Sequence, residues 1–174
     1  MTRLTILEYP DPRLRTRATP VATVDDSVRQ LLDDMLETMY DAPGIGLSGN
    51  QIGLLRRLVV LDVARADEKP NPIRMVNPEI LWRSEELSTY NEGCLSLPEQ
   101  YADVSRPAQI KFRYLDEKGH RQEMQADGLL ATCVQHEIDH LEGVLFVDHL
   151  SALKRNIILR KLAKVQKAKT ESAM

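Results

Sequence analysis

Two histidines four residues apart, with a glutamate directly after the first, are the strongest chemical signal in this 174-residue chain: His136-Glu137-Ile138-Asp139-His140. Residues four apart on a helix lie one turn apart on the same face, so both imidazoles can grip one metal ion. Glu137 then sits where it can take a proton from a water that the ion activates. The bland alternative is a pair of satisfied core histidines beside a buried glutamate. The cost of burying a carboxylate without a task argues against it. A catalytic ion of this kind takes a third protein ligand and keeps one position open, so the identity of the third residue decides the class of chemistry.

A metzincin would place a histidine three residues after Gly143, and this chain has Phe146 there. A thermolysin-like centre needs a glutamate from well downstream, and beyond Glu142 only Glu171 remains, close to the C-terminus. Cys133 shares the helix but is seven residues from His140, about 10 Å along the axis at roughly 1.5 Å per residue. A short thiol cannot span that when metal–ligand bonds are about 2 Å, so Cys133 reads as a small core residue lining the site. Cys94 is the better candidate. It lies in Glu92-Gly93-Cys94-Leu95-Ser96-Leu97-Pro98, where the glycine permits an unusual backbone and the proline ends the segment. Such a loop can hold a thiolate against a helix from outside. One cysteine and two histidines suit zinc, and ferrous iron, nickel and cobalt also fit. Structural zinc sites usually have four protein ligands; three ligands and a ready base favour catalysis.

The elements that must position these groups follow from pattern. Three prolines in the first twenty residues (Pro10, Pro12, Pro20) make that stretch an irregular surface arm. From Asp25 to Tyr40 the apolar residues Val28, Leu31, Leu32, Met35, Leu36, Met39 and Tyr40 recur on one helical face, with Asp25 or Asp26 as cap. Leu58–Val63, Ile73–Trp82, Glu86–Tyr90 and Ile110–Tyr114 read as strands, and Asp116–Gly119 as a hairpin turn into Arg121–Ala126. A helix is expected from Asp127, a good N-cap, to about Leu141, apolar on all sides and therefore buried. A third helix from Leu150 to about Lys169 is basic towards its end. Strands in a block followed by helices predict an α+β domain rather than alternating units, with residues 1–174 as one domain and about 151–174 as a basic helix and tail.

Composition sets the class. Hydrophobic residues make up 43% and charged residues 28%, as in globular proteins, and the net charge of −3 gives no global attraction to nucleic acid or membrane. No apolar run is long enough to span a bilayer, and the first residues lack a signal-peptide core. The expected location is the cytoplasm, where Cys94 and Cys133, the only two cysteines, stay reduced. The cations Lys154, Arg155, Arg160, Lys161, Lys164, Lys167 and Lys169 suit the C-terminal dipole of a solvated helix. The sharper reading is docking to the anionic RNA of the ribosome.

Three segments in order, GIGLSGNQIG (44–53), EGCLSLP (92–98) and QHEIDHLEG (135–143), resemble the signature motifs of peptide deformylases. The resemblance spans most of the chain. Ser48-Gly49 departs from it, because the family usually has two alanines there. Tyr101 stands where many bacterial members carry a basic residue. The resemblance implies antiparallel strands packed around a central metal-binding helix. It implies Cys94, His136 and His140 as ligands of one divalent ion, ferrous in the cell. It implies Glu137 as base and then acid, with the Gln51 side chain and the Leu95 backbone N–H donating to the oxyanion. The substrate implied is the N-formylmethionyl nascent peptide. Ile45, Gly46, Glu92, Gly93, Leu129 and Cys133 are the expected substrate-contacting residues, with Gly44–Leu47 as an edge where the peptide adds as a strand. The rival reading is an HExxH metallopeptidase or another metal-dependent amidase.

Overall fold

The structure, a computed structural model, describes residues 3–173. After an irregular arm containing a short 3-10 turn at Pro12–Arg15, the elements run α1 (Asp26–Asp41), β1 (Gly46–Ser48), β2 (Leu58–Leu61), β3 (Ile73–Arg83), β4 (Leu87–Cys94), β5 (Leu97–Pro107), β6 (Ile110–Leu115), β7 (Arg121–Ala126), α2 (Gly128–Leu141) and α3 (Ala152–Ala173). The α+β expectation holds: all strand pairings are antiparallel, in a five-stranded sheet ordered β1-β2-β3-β6-β7 and a separate β4-β5 hairpin.

The period of two along β2 explains the layering. Val59 and Leu61 face a cluster with Met75, Ile110 and Phe112, against which α2 places Ala131, Val134, Ile138 and Leu141. Leu58 and Val60 face the other way, onto Val28, Leu32, Met35, Leu36 and Met39 of α1. All four β2 residues are buried, so this strand reads as an unbroken apolar run because both faces are covered. A third cluster joins the arm, the hairpin and α3 through Leu14, Leu97, Val104, Phe146, Ile158 and Leu162. Each such side chain contributes about 1.5–3 kcal/mol when fully buried.

Asp25 caps α1, accepting from the Val28 N–H at 3.0 Å. Asp127 occupies the corresponding position of α2, but its side chain makes no capping bond. The helix is also not closed to solvent on all sides: Leu129, in its first turn, is 41% exposed, because that turn faces a cleft. The segment expected as a loop around Cys94 is instead a tight hairpin. Cys94 ends β4, pairs with Leu97, and sits at a register shift after Gly93. The whole of β5 went unforeseen, since prolines and polar residues mask its alternation.

Candidate metal centre

Helix α2 sets the geometry. His136 and His140 project from one face with their Nε2 atoms 3.2 Å apart. The β4-β5 hairpin brings Cys94 Sγ to 3.3 Å from His140 Nε2, and the three ligand atoms lie within 4.8 Å of one another. Ligands around a tetrahedral ion with bonds of about 2.0–2.3 Å stand roughly 3.3–3.7 Å apart, so this trio is spaced to hold one ion. Cys133 is not part of it: its thiol faces the Ile45 carbonyl at 3.7 Å, and burial raises it well above the ordinary thiol range, which suits a wall and not a ligand.

The titration pattern fits a cation. Burial keeps His140 well below the usual imidazole range, and the neighbouring His136 pushes the same way. Burial also pulls His136 down, but hydrogen bonds to Cys94 and Glu92 outweigh it and hold His136 well above that range. A cation held by Cys94, His136 and His140 would take the place of the proton there.

Glu137 has its carboxylate at 4.0 Å from His136 Nε2. Burial pushes its pKa up to about 7, against the pull of His136 and Arg106. A carboxyl poised there can accept a proton and return it near neutral pH. Gly46 makes room for it: a Cβ on Gly46 would lie 2.5 Å from Glu137 Oε2. Gly46 belongs to β1, the edge of the five-stranded sheet; the three residues of β1 are buried, and Ile45 just before them is exposed.

Gln51 is oriented from both ends. Its Oε1 accepts from the Ser48 N–H at 3.0 Å and lies 3.3 Å from Ser48 Oγ. Its Nε2 donates to Ser96 Oγ at 3.1 Å and approaches Cys94 Sγ at 3.4 Å. The side-chain amide hydrogens therefore face the centre.

A cleft of about 600 Å³ opens from these groups, with Ile45, Gly46, Gly93, Leu95, Leu129 and Cys133 in its walls. Glu92 also borders it, but its carboxylate is engaged elsewhere. Glu92 Oε1 meets His136 Nδ1 at 2.9 Å, while Arg106 donates to Oε2 at 2.7 Å and Oε1 at 3.0 Å. Arg106 continues to Asp139 at 2.8 Å, and Asp139 meets His149 at 2.8 Å. The side chain expected to touch substrate thus has its carboxylate bound to His136 and Arg106. Arg106, Asp139 and Ser96 were not foreseen; the one signal available for Asp139 was its place inside the helix motif.

A helix-borne histidine pair, an adjacent base and a third ligand from a hairpin define a metallohydrolase centre. The model of the polypeptide deformylase family matches residues 3–156. The chain is 61% identical over 165 residues to a peptide deformylase of Methylocella silvestris, covering 93% of this chain and 84% of that one. It is 52% identical over 174 residues to the Rhizobium meliloti enzyme, with both chains fully covered. Among solved structures it superposes on the Legionella pneumophila peptide deformylase with a TM-score of 0.88 and 44% identity, covering 97% of this chain and 98% of the other. The Ehrlichia chaffeensis enzyme in complex with actinonin gives 0.89 and 40%, covering 94% and 98%. The chain therefore belongs to the polypeptide deformylase family. It is a hydrolase that removes the formyl group from the N-terminal formylmethionine of new polypeptides, releasing formate.

Proposed function

We propose that this chain deformylates nascent peptides with Cys94, His136 and His140 holding one ferrous ion, and with Glu137 as the proton-transferring residue. The observation that supports this most directly is the Glu137 carboxylate beside the ligand trio with its pKa near 7. When bound, a divalent ion acidifies water and polarises the formyl carbonyl. Glu137 takes the proton from the attacking water and passes it to the departing amine. The Gln51 amide N–H and the Leu95 backbone N–H donate to the oxygen where charge develops. The β1 edge at Ile45 and Gly46 pairs with the substrate backbone, with Gly93 opposite. Leu129, Cys133 and the His136 ring wall the methionine side chain.

The thiolate and two imidazoles also accept zinc, nickel or cobalt; ferrous iron is our reading of the native ion. Activity should then be lost in air and preserved anaerobically, whereas equal half-lives would exclude iron. Residues 1–174 form one catalytic domain ending in a basic helix. No helix among the described residues is long and apolar enough to cross a membrane, and we place the enzyme in the cytoplasm with its substrate. We read the exposed cations of α3 as a contact for ribosomal RNA.

The deciding experiment is anaerobic formate release from formyl-Met-Ala-Ser by the iron-loaded enzyme and by Glu137→Ala. Release that disappears in the variant, with metal content unchanged, supports the assignment. No release with iron, nickel, cobalt or zinc, despite one bound ion per chain, would defeat it.

A further inference from the structure

The walls of the cleft contain glutamates and neither lysine nor arginine. Three of those glutamates are engaged. Glu92 is held by Arg106 and His136. Glu137 stands beside the metal ligands. Glu8, from the N-terminal arm, is answered by Lys169 at 3.0 Å. Glu99 is left. It is exposed and has no ionic partner among the described residues. Its φ of +63° lies in the left-handed region that non-glycine residues rarely adopt, so the backbone at this point of β5 is specified by its surroundings.

Two residues along β5 stands Tyr101, paired in register with Gly93. Its ring lies down on that glycine: a Cβ on Gly93 would meet Tyr101 Cε1 at 2.4 Å. Yet Tyr101 is 66% exposed, so the rest of the ring is open to whatever enters the cleft. An open aromatic ring and an unpaired carboxylate, two residues apart at the mouth of one cleft, suit a cation on a flexible stem.

We propose that Glu99 and Tyr101 bias this enzyme towards nascent chains carrying lysine or arginine at the second or third position. The proposal rests on the deformylation reading of the cleft and adds a selectivity to it. Its size is bounded by physics. An exposed ion pair changes an equilibrium by about two- to fivefold, and a cation over an exposed ring contributes about as much. The result is a preference, expressed in KM because the contact is equal in ground and transition states.

The test uses the full-length, metal-loaded enzyme and formate release from formyl-Met-X-Ser and formyl-Met-Ala-X, with X as Lys, Gln or Glu. At one of the two positions kcat/KM should fall in the order Lys, Gln, Glu by about three- to tenfold overall, through KM, and the spread should shrink in about 0.5 M salt. Glu99→Gln should flatten the ratio, Glu99→Lys should invert it, and Tyr101→Ala should lower the lysine advantage over glutamine. Each ratio is taken within one enzyme, so a loss common to all peptides does not enter it. Equal rates for all three residues at both positions would overturn the proposal. So would a lysine preference that survives in Glu99→Gln, since the charge would then reside at Glu8. No formate from any peptide is a different result and would sink the deformylation reading itself.

Discussion

Glycine at position 46 answers a purely steric constraint beside Glu137. The Glu137 carboxylate occupies the space a side chain there would take, so Gly46→Ala must move either the base or the β1 edge. A displacement of about 1 Å at such a centre costs about a hundredfold in rate. Formate release should fall by that order while metal analysis still finds one ion per chain. The same reasoning applies to Gly49. A Cβ there would lie 2.5 Å from the Arg56 carbonyl and 2.7 Å from that of Leu54. The backbone of Arg56 and Leu54 leaves no room for a side chain at this position, and Gly49→Ala should lower thermal stability. The Glu92 carboxylate is placed to orient His136, a candidate metal ligand. Glu92→Gln should weaken metal affinity by about ten- to a hundredfold, measured by competition with a chelator; unchanged affinity would remove its orienting role. Tyr40 donates to Asp62 at 2.5 Å, and burial followed by that bond pushes its pKa up to about 12. The neutral phenol is the favoured form in the fold. This contribution to stability is intact below the unfolded value near pH 10 and is lost as pH rises towards 12. Tyr40→Phe should erase that portion of the alkaline decline in denaturant titrations.

The elements that carried the chemistry were legible in proportion to how local their signals are. The α2 motif places two ligands and the base within five residues of one helix, so helical spacing alone brings them together. Cys94 required elimination, because nothing in sequence says that a hairpin ending 42 residues before His136 returns to it. Arg106 was invisible: its partners Glu92 and Asp139 lie 14 and 33 residues away, and no periodicity encodes an ion pair between strand and helix. Strand β5 was missed because Pro98 and Pro107 bracket a polar stretch whose alternation shows only once its neighbours are in place. In α3, Ile158 and Leu162 are buried while most of the surrounding residues are exposed, so removal of the helix would open the third cluster. The ribosome contact is therefore better tested with Lys161, Lys164 and Lys167 all changed to glutamine. Co-sedimentation with ribosomes should weaken and lose salt dependence in that variant, while thermal unfolding stays within a few degrees of wild type. Unchanged sedimentation would refute the contact.

At the level of the whole molecule, a bound ion would add a further tie between α2 and the β4-β5 hairpin, already joined by the Glu92–His136 and Arg106–Asp139 contacts. Its candidate ligands come from α2 and from the β4-β5 hairpin, and the two support different parts of the core. Binding restricted to the native state should stabilise it by about 2.7 kcal/mol when free ion is about a hundred times Kd. Chelation should then lower Tm by about 5–10 °C for a chain of this size; an identical Tm would mean that the hairpin is held without the ion. The chain's two ends complete the assembly. The arm donates from the Leu7 N–H to the Gln51 carbonyl at 2.6 Å and from the Tyr9 N–H to the Ser96 carbonyl at 2.9 Å. Between them Glu8 accepts from Gln166 at 2.7 Å, far along α3. Glu8 and Gln166 are separated by 158 residues, so a ribosome issues the arm well before α3. The arm can therefore meet Gln51 and Ser96 early in synthesis but must wait for α3 before Glu8 finds this partner, so its final seating is a late step.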